Sequence, residues 1–371
     1  MKKVKIVFNS QGSSKIGSIR IPMYGLRSEF EKFDEFQVSF NDYENYDKYD
    51  VAILHADEEQ VSVAREKNKG IIIGLVKPHH ERVVNIPFEK FSVKSFYYQF
   101  RFLFGDGKSK FIKTRNEKLN NSDFVISDTL YLHNLFESEG INSVYVRLIE
   151  NYTYKVKPVV KPNKKEIVFG YHGNYRHFLE SKDYIFPGLD ELTKDFDVTL
   201  KVVSNLSEYK YEPNTNFKIE YYDYEFPGIY ELLNDVDIGL VPNQIGYRNS
   251  FFEKLCTKFG SLIWRTDKYH DIIFRFKQSS NAGRAFIFAQ LGKPFISCPT
   301  PEVASIFGDL LEEYMPFDKK TWKHCLVKLA KDEAARIRIG YQLLDKTSSS
   351  LNTKVEAEKL KAKILELVEN K

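Results

Sequence analysis

The sequence predicts an α/β fold made of two doubly wound parallel sheets, one in each half of the chain. The chain has 371 residues, which exceeds the size of one ordinary hydrophobic core and suits two domains. Short apolar runs alternate with amphipathic helical segments in both halves, a rhythm typical of parallel sheets covered by helices. A segment rich in proline and lysine, 152–165, separates the halves and is interpreted as a linker.

The first half contains a series of apolar runs that are predicted as strands, with helical segments between them. The strands are expected at 4–8, 50–54, 70–76, 124–127 and 144–149. Helices are expected at 21–30 and 58–67. A further helix follows residue 127, where Asp128 or Thr129 can cap it, and stops at Gly140.

The second half repeats the pattern after the linker. Strands are expected at 167–173, 198–204, 217–222, 238–242 and 294–298, and helices at 187–196, 227–234, 280–291 and 355–368. Ligands of doubly wound sheets bind at the carboxyl ends of the strands. We therefore expect the functional site at these ends, between the two halves.

The composition excludes several other classes of protein. A formal net charge of +4, without a dominant lysine or arginine run, does not predict a nucleic-acid-binding surface. The cysteines Cys256, Cys298 and Cys325 are scattered, with neither metal-ligand spacing nor a disulfide framework. No stretch has the apolar length of a signal peptide or a membrane-spanning helix. We expect a cytoplasmic protein, for which any membrane contact would be peripheral, at the inner face.

The segment from Lys277 to Arg284 is the strongest candidate site in the sequence. Ser279 or Ser280 can cap the helix that follows, and the free N–H groups and dipole of a helix start attract anions. Lys277 and Arg284 add positive charge at the two ends, with Asn281 between them. This chemistry predicts a diphosphate-binding site. The alternative is an ordinary capped core helix.

A second candidate follows the opening strand of the second half. Gly173 permits a tight turn beside a ligand, and Arg176 could reach a phosphate. The alternative is a polar turn from strand to helix, because a glycine pair at this spacing is a weak signal.

Histidines at predicted strand ends in the first half are candidates for acid–base chemistry. His55 lies two residues before Asp57, and His79 follows the run 70–76. A histidine near a carboxylate at a strand end can act as a general base. A metal site is not expected, because the adjacent side chains of His79 and His80 usually diverge. For each histidine the alternative is a packing or surface role.

Several short motifs occur in an informative order along the chain. They are SIRIP at 18–22, NSDFVIS at 121–127, VFGYHGN at 168–174, VDIGLVP at 236–242 and FIFAQLGKPFISCP at 286–299. In this order they resemble the GT-B glycosyltransferases, particularly the large family-four-like group (glycosyl transferases group 1). The resemblance covers most of the chain, and the motif at 286–299 is its most specific part.

The resemblance implies a GT-B fold, in which two Rossmann-like domains face each other across a cleft. The acceptor domain would be 1–155 and the donor domain 156–350, with a final helix at 351–371 that could cross back to the first domain. The co-substrate would be a nucleoside-diphosphate sugar. No metal or other cofactor is expected, because the helix dipole and basic side chains neutralise the leaving diphosphate. Tyr222, Tyr224 and Glu225, at a strand end, could contact the nucleobase or ribose.

The sequence departs from the family where retaining members carry two glutamates. Ser279 and Ile287 occupy those positions, so retaining stereochemistry is not carried over. If the enzyme inverts, His55, Asp57 or His79 could deprotonate the acceptor. An aromatic-rich insertion at 243–275 is interpreted as packed on its domain, with a lid, a partner surface or a lipid-contacting patch as alternatives.

We therefore predict a glycosyltransferase of hexosyltransferase type. It would move a sugar from a nucleoside-diphosphate sugar to a saccharide or lipid-linked acceptor in surface-glycan biosynthesis. One alternative is a nucleotide-sugar epimerase. Another is a degenerate paralogue that acts as a partner subunit or binds sugar nucleotides without turnover, which the missing acids motivate. The donor, the acceptor, the stereochemistry and the oligomeric state stay open.

Overall fold

The computed structural model describes residues 2–56, 61–78, 106–152, 165–206, 214–243, 270–271, 276–277 and 280–371. Side chains are described throughout these ranges except at 106–112, 176, 270–271 and 276–277. The chain divides into two compact units. Unit 1 comprises Met1–Leu148 and Thr353–Lys371, and unit 2 comprises Ile149–Asn352.

Unit 1 is built on a six-stranded parallel sheet. Its strands are β1 (Val4–Asn9), β2 (Phe36–Phe40), β3 (Val51–His55), β4 (Ile72–Val76), β5 (Phe124–Ser127) and β6 (Ser143–Tyr145), in the order β2-β1-β3-β4-β5-β6. Every pairing is parallel. Strands β3 and β4 are buried along their whole length, as expected of central strands in a sheet covered on both faces.

Several short helices and two long ones accompany the sheet of unit 1. They are α1 (Gly17–Ile19), a π-helix (Arg20–Gly25), α2 (Leu26–Phe30), a 3₁₀ turn (Tyr46–Lys48), α3 (Val61–Lys67), α4 (Asp106–Asn120), α5 (Leu130–Ser138) and α12 (Thr353–Glu369). Ala357, Leu360 and Ile364 of α12 belong to the hydrophobic core of this unit. Glu356 of the same helix is fully buried and accepts hydrogen bonds from the backbone N and Nε of Arg147, at 2.9 and 2.8 Å.

Unit 2 is built on a five-stranded parallel sheet. Its strands are β7 (Glu166–His172), β8 (Asp197–Ser204), β9 (Lys218–Asp223), β10 (Ile238–Val241) and β13 (Phe295–Ser297), in the order β13-β10-β7-β8-β9. Two short segments, β11 (His270–Asp271) and β12 (Phe276–Lys277), form a separate antiparallel pair. The five-stranded order reverses direction between β7 and β10, because β8 and β9 extend on one side and β13 on the other.

The helices of unit 2 cover this sheet and extend beyond it. They are α6 (Tyr175–Leu192), α7 (Ile229–Leu233), α8 (Gly283–Gln290), α9 (Pro301–Leu311), a 3₁₀ turn (Glu312–Tyr314), α10 (Lys319–Lys331) and α11 (Glu333–Ser349). Together with the strands they enclose one large hydrophobic core. Within the described ranges, no helix combines the length and the apolar character that crossing a membrane requires.

The structure confirms the predicted parallel α/β architecture and corrects several element boundaries. Strand β2 was not expected from the sequence. The helix predicted at 187–196 begins at Tyr175, so Pro187 lies inside it. A proline within a helix removes one backbone hydrogen bond. The fully buried side chains of Phe178, Ile185 and Leu189 on the same helix offset this loss, since their burial stabilises the helix against the sheet.

Candidate functional site

The candidate site lies at the carboxyl edge of the sheet of unit 2, where β7 and β10 are neighbours. These strands pair in parallel, with Leu240 opposite Tyr171. Their onward connections leave in opposite directions along the sheet, and doubly wound sheets generally bind their ligands at such a point. Gly173 follows β7 and Asn243 follows β10, so both residues lie at this edge of the sheet.

A rigid turn follows β7. Gly173 adopts a φ of +127°, a conformation that other residues rarely adopt. Its N–H donates to the carbonyl of Val203 at 3.1 Å, and its carbonyl accepts from Ser204 Oγ at 2.6 Å. The hydroxyl of Tyr171 donates to the carbonyl of Asn174 at 2.8 Å. These bonds hold the turn from both sides.

The start of helix α8 differs from the prediction. Ser279 or Ser280 was expected to cap the helix, but the helix begins at Gly283 and its N-cap position is Ala282. Asn281 Oδ1 accepts from the N–H of Gly283 at 3.2 Å, because a short amide side chain reaches the N–H two residues on. The hydroxyl of Ser280 instead donates to Asn243 Oδ1, at 3.1 Å. Ser279 lies outside the described residues.

Arg284 is the central cation of the site and lies in the first turn of α8. Its Nη2 donates to the carbonyl of Pro242 at 2.6 Å and to Oδ1 of Asn243. The guanidinium carbon lies 5.6 Å from the ring centroid of Tyr171. The guanidinium also interacts with the Tyr171 hydroxyl, but the other terminal nitrogen, Nη1, is buried and makes no hydrogen bond of normal geometry to the residues described. The guanidinium is therefore held in place with one donor group unused.

Asn243 is a functional candidate that sequence reasoning missed. Its side chain is 5% exposed, and its backbone N–H donates to Cys298 Sγ at 3.0 Å. Oδ1 accepts from Ser280 and Arg284, which fixes which end of the amide is the oxygen. The amide nitrogen, Nδ2, is buried without a partner in the described part of the chain. Its position immediately after the strand motif VDIGLVP was the available signal.

The two unused donors, Arg284 Nη1 and Asn243 Nδ2, define what the site can bind. A buried N–H without an acceptor costs about 1 to 3 kcal/mol, and more when it is charged. A ligand that supplies acceptor oxygens and negative charge removes this cost. The N–H groups at the start of α8 favour the same ligand, because a helix N-terminus carries partial positive charge. An oxyanion such as a phosphate has the required chemistry.

The structure describes the side chains of only some of the predicted phosphate ligands. Gly173 and Arg284 are neighbours, since a Cβ on Gly173 would lie 3.0 Å from Arg284 Cδ. Ser280 and Asn281 lie at the start of the same helix. The backbone of Lys277 pairs with His270 in the β11–β12 ladder, and Arg176 is the second residue of α6. The side chains of Lys277 and Arg176 are outside the described set, so their prediction as phosphate ligands stays a prediction.

The predicted nucleobase residues lie at or near the carboxyl end of β9. The backbone N–H of Tyr224 donates to the carbonyl of Ser204 at 3.0 Å, so Tyr224 is linked to the Gly173 turn, and Glu225 beside it is exposed. The hydroxyl of Tyr222 donates to Glu220 at 2.8 Å, and this bond raises the pKa of Tyr222. The Tyr222 hydroxyl is therefore engaged within its own strand.

In unit 1 the carboxyl edge of the sheet carries one described candidate base. His55 ends β3 and is 7% exposed, whereas Asp57 and His79 lie outside the described residues. On the neighbouring strands, Lys77 Nζ forms an ion pair with Asp128 at 2.8 Å. The cap of α5 is Thr129, whose Oγ1 accepts from the N–H of Leu132. Asp128, the other cap candidate, faces Lys77 instead.

No family model matches this sequence, and no curated protein matches it. Solved structures match the fold. A sucrose-phosphate synthase from Thermosynechococcus elongatus has a TM-score of 0.62 at 9% identity, over 100% of each chain. T4 phage BGT, in complex with UDP and Mn2+, has a TM-score of 0.52 at 14% identity, over 97% of this chain and 99% of that chain. A mutant O-GlcNAc transferase of Thermobaculum terrenum has a TM-score of 0.54 at 12% identity, over 100% of this chain and 68% of that chain.

Other matched structures are longer, and this chain spans only 55% to 57% of their length. Likeness at such low identity concerns the fold rather than the activity. Together with the two parallel sheets it confirms the predicted GT-B resemblance and the α/β fold of two Rossmann-like domains.

Proposed function

We propose that this chain is a glycosyltransferase that binds a nucleoside-diphosphate sugar at the carboxyl edge of the sheet of unit 2. The pair of buried donors, Arg284 Nη1 and Asn243 Nδ2, carries the proposal, since neither has a partner among the described residues. A diphosphate supplies both the negative charge and the acceptor oxygens that this pair requires. UDP is bound in one of the solved structures that share this fold, which supports the same ligand class.

The same groups suit the chemistry of sugar transfer. The bond between the anomeric carbon and the diphosphate oxygen breaks, and negative charge grows on the leaving diphosphate. Arg284 and the start of α8 would stabilise that charge. Because Pro242 and Asn243 already hold the guanidinium, little reorganisation is needed when the charge develops. We include Lys277, Ser279 and Arg176 in this site on the grounds of sequence.

The acceptor side of the proposal rests on unit 1. A hydroxyl of a saccharide or lipid-linked acceptor would attack the anomeric carbon, with His55, Asp57 or His79 as candidate bases for an inverting reaction. His55 is the candidate among them that the structure describes, at the carboxyl end of β3. We propose a role in surface-glycan assembly at the inner face of a membrane. We expect no metal requirement, so EDTA should leave nucleotide binding and transfer unchanged.

A ligand panel tests the binding step directly. Thermal unfolding is measured with UDP, GDP and ADP, their sugar conjugates, and the free nucleosides. A ligand that binds only the folded protein raises the melting temperature, and we expect this for one nucleoside diphosphate and not for its nucleoside at equal concentration. Arg284→Gln should abolish the rise. Lys346→Gln, which removes an equal charge from the pair with Asp309 in the same unit, should leave it intact. If the nucleoside diphosphate still raises the melting temperature of Arg284→Gln, the ligand does not bind at this site.

One observation favours a second candidate function, a protein that binds sugar nucleotides without turnover. Ile287, at a position where retaining relatives carry a glutamate, is 3% exposed on α8. An apolar side chain buried in the core offers no group to the reaction. Purified protein that binds a donor sugar but neither hydrolyses nor transfers it, with a range of acceptors, would favour this candidate.

A further inference from the structure

A buried histidine lies directly beneath the proposed phosphate site. His172 ends β7, one residue before Gly173, and its side chain is 4% exposed. Its Nε2 lies 3.1 Å from the backbone carbonyl oxygen of Arg284, and its ring centroid lies 5.2 Å from that of Phe288 on α8. His172 therefore connects the end of β7 to the first turn of α8.

The chemistry of this contact defines the state of the imidazole. Burial, the largest cause, lowers the pKa of His172 to about 3, so the ring is neutral at any ordinary working pH. A carbonyl oxygen only accepts hydrogen bonds, so Nε2 carries the hydrogen and donates. The carbonyl of Arg284 has a second lone pair for the N–H four residues further along the helix. The histidine thus adds a bond without breaking the helix.

Arg284 is consequently held at two points. Its backbone carbonyl is attached to β7 through His172, and its guanidinium is attached to the residues after β10 through Pro242 and Asn243. Between these attachments the side chain has little freedom. The direction of the unused Nη1 group then depends on both strands, and loss of either attachment would let the guanidinium move.

We propose that His172 is a positioning residue of the phosphate site, which directs Arg284 Nη1 toward the ligand by anchoring the backbone of α8 through a neutral Nε2–H donor. This inference rests on the proposed function, because it assumes that Arg284 binds a phosphate. It assigns His172 no contact with the ligand. The expected consequence is selective: affinity for the diphosphate part of the ligand depends on His172, and affinity for the nucleoside part does not.

Two substitutions separate positioning from packing. His172→Leu fills most of the volume and removes the donor, whereas His172→Gln retains an amide N–H at a similar reach. His324→Gln, at an exposed position of α10 in the same unit, is the matched control. Dissociation constants for UDP and uridine, or for whichever nucleoside diphosphate and nucleoside bind best, are measured by calorimetry on each folded variant.

We expect His172→Leu to weaken diphosphate binding about threefold to tenfold, as loss of one hydrogen bond would. Nucleoside binding should change by less than about twofold, and His172→Gln should restore most of the diphosphate affinity. Equal weakening of both ligands, or no difference between the two variants, would overturn the inference and leave a packing role.

Crystal structures of the two variants provide a readout that does not depend on any ligand. His172→Leu should show a displaced Arg284 guanidinium, and His172→Gln should show it in place. An unmoved guanidinium in His172→Leu overturns the inference. If the unmodified chain binds no nucleoside diphosphate, the proposed function fails by itself, while these structures still decide whether His172 positions Arg284.

Discussion

Asn243→Asp tests the proposed phosphate site with a minimal change of shape. Aspartate has nearly the same shape as asparagine, so the oxygen that accepts hydrogen bonds from Ser280 and Arg284 is retained. The substitution converts Nδ2, a buried donor without a partner among the described residues, into an oxygen that shares a negative charge. In the free protein no described hydrogen bond of this side chain is lost, and the bond to Arg284 becomes an ion pair, because the acceptor is now charged as well as the donor.

The expected loss of affinity follows from two effects that act in the same direction. A hydrogen bond to a charged group contributes about 1.5 to 3 kcal/mol. Two like charges 4 Å apart repel by about 4 kcal/mol at an effective dielectric constant of 20. Even when half of the repulsion is screened, the two effects together amount to at least about 3.5 kcal/mol, which exceeds the roughly 2.8 kcal/mol that corresponds to a hundredfold weaker binding of the diphosphate.

Stability should respond far less than binding. The stronger bond to Arg284 opposes the cost of burying a carboxylate at a position that is 5% exposed. We therefore expect the free energy of unfolding to change by less than about 1.5 kcal/mol, at the scale of one hydrogen bond. This separation between a large effect on binding and a small effect on stability distinguishes a ligand contact from a structural contact.

The assay is calorimetric titration of a nucleoside diphosphate and its nucleoside, with urea unfolding in parallel. Asn234→Asp is the control, because it makes the same substitution after α7 in unit 2, before the amino end of β10. It should leave both affinities unchanged. If Asn243→Asp binds the diphosphate within threefold of the unmodified chain, the phosphate does not contact Asn243 and the reasoning fails.

Three further predictions concern backbone strain, a buried ion pair and pH. Gly173→Ala should lower the free energy of unfolding by about 1 to 3 kcal/mol. It should also weaken diphosphate binding, because the added Cβ would lie 3.0 Å from Arg284 Cδ. Gly140→Ala, with a φ of +74° and no atom within 4 Å of the added Cβ, is the control and should affect stability alone. Glu356→Gln removes the buried negative charge that pairs with Arg147 and Lys359, so urea unfolding should show that the free energy of unfolding falls by about 3 to 5 kcal/mol. A fall below about 1 kcal/mol would contradict this. Burial lowers the pKa of His172 from 6.5 to about 3, so below pH 6.5 the unfolded chain binds a proton that the folded protein does not. As the pH is lowered from about 6.5 towards 3, the free energy of unfolding should therefore fall by about 1.4 kcal/mol per pH unit more than it does in His172→Gln. Parallel pH profiles of the two proteins would contradict a neutral, buried His172.

Local patterns in the sequence determined the architecture of each half. Buried parallel strands appear as continuous apolar runs bounded by turn residues, so the runs near β1, β3, β4, β7 and β8 were predictable. The turn at Gly173 and the helix that carries Arg284 were also predictable, because glycine freedom and helix chemistry act over a few residues. Less regular elements were not predicted from the sequence. Strand β2 lies at the edge of its sheet with only its first residue buried, and α6 continues through Pro187 because its burial offsets the lost hydrogen bond.

Only the tertiary structure decided which strand ends meet, and therefore what the site contains. Arg284 meets Asn243 across 41 residues of sequence, and His172 meets Arg284 across 112. Hydrophobic periodicity indicates which face of its own strand or helix each residue occupies. It does not indicate which strand becomes the neighbour of β7. The pairing of β7 with β10 places Asn243 in the site. Ser280 donates a hydrogen bond to Asn243 instead of capping α8. The sequence by itself thus located the helix of the phosphate site, and the strand order supplied the partners that make it a site.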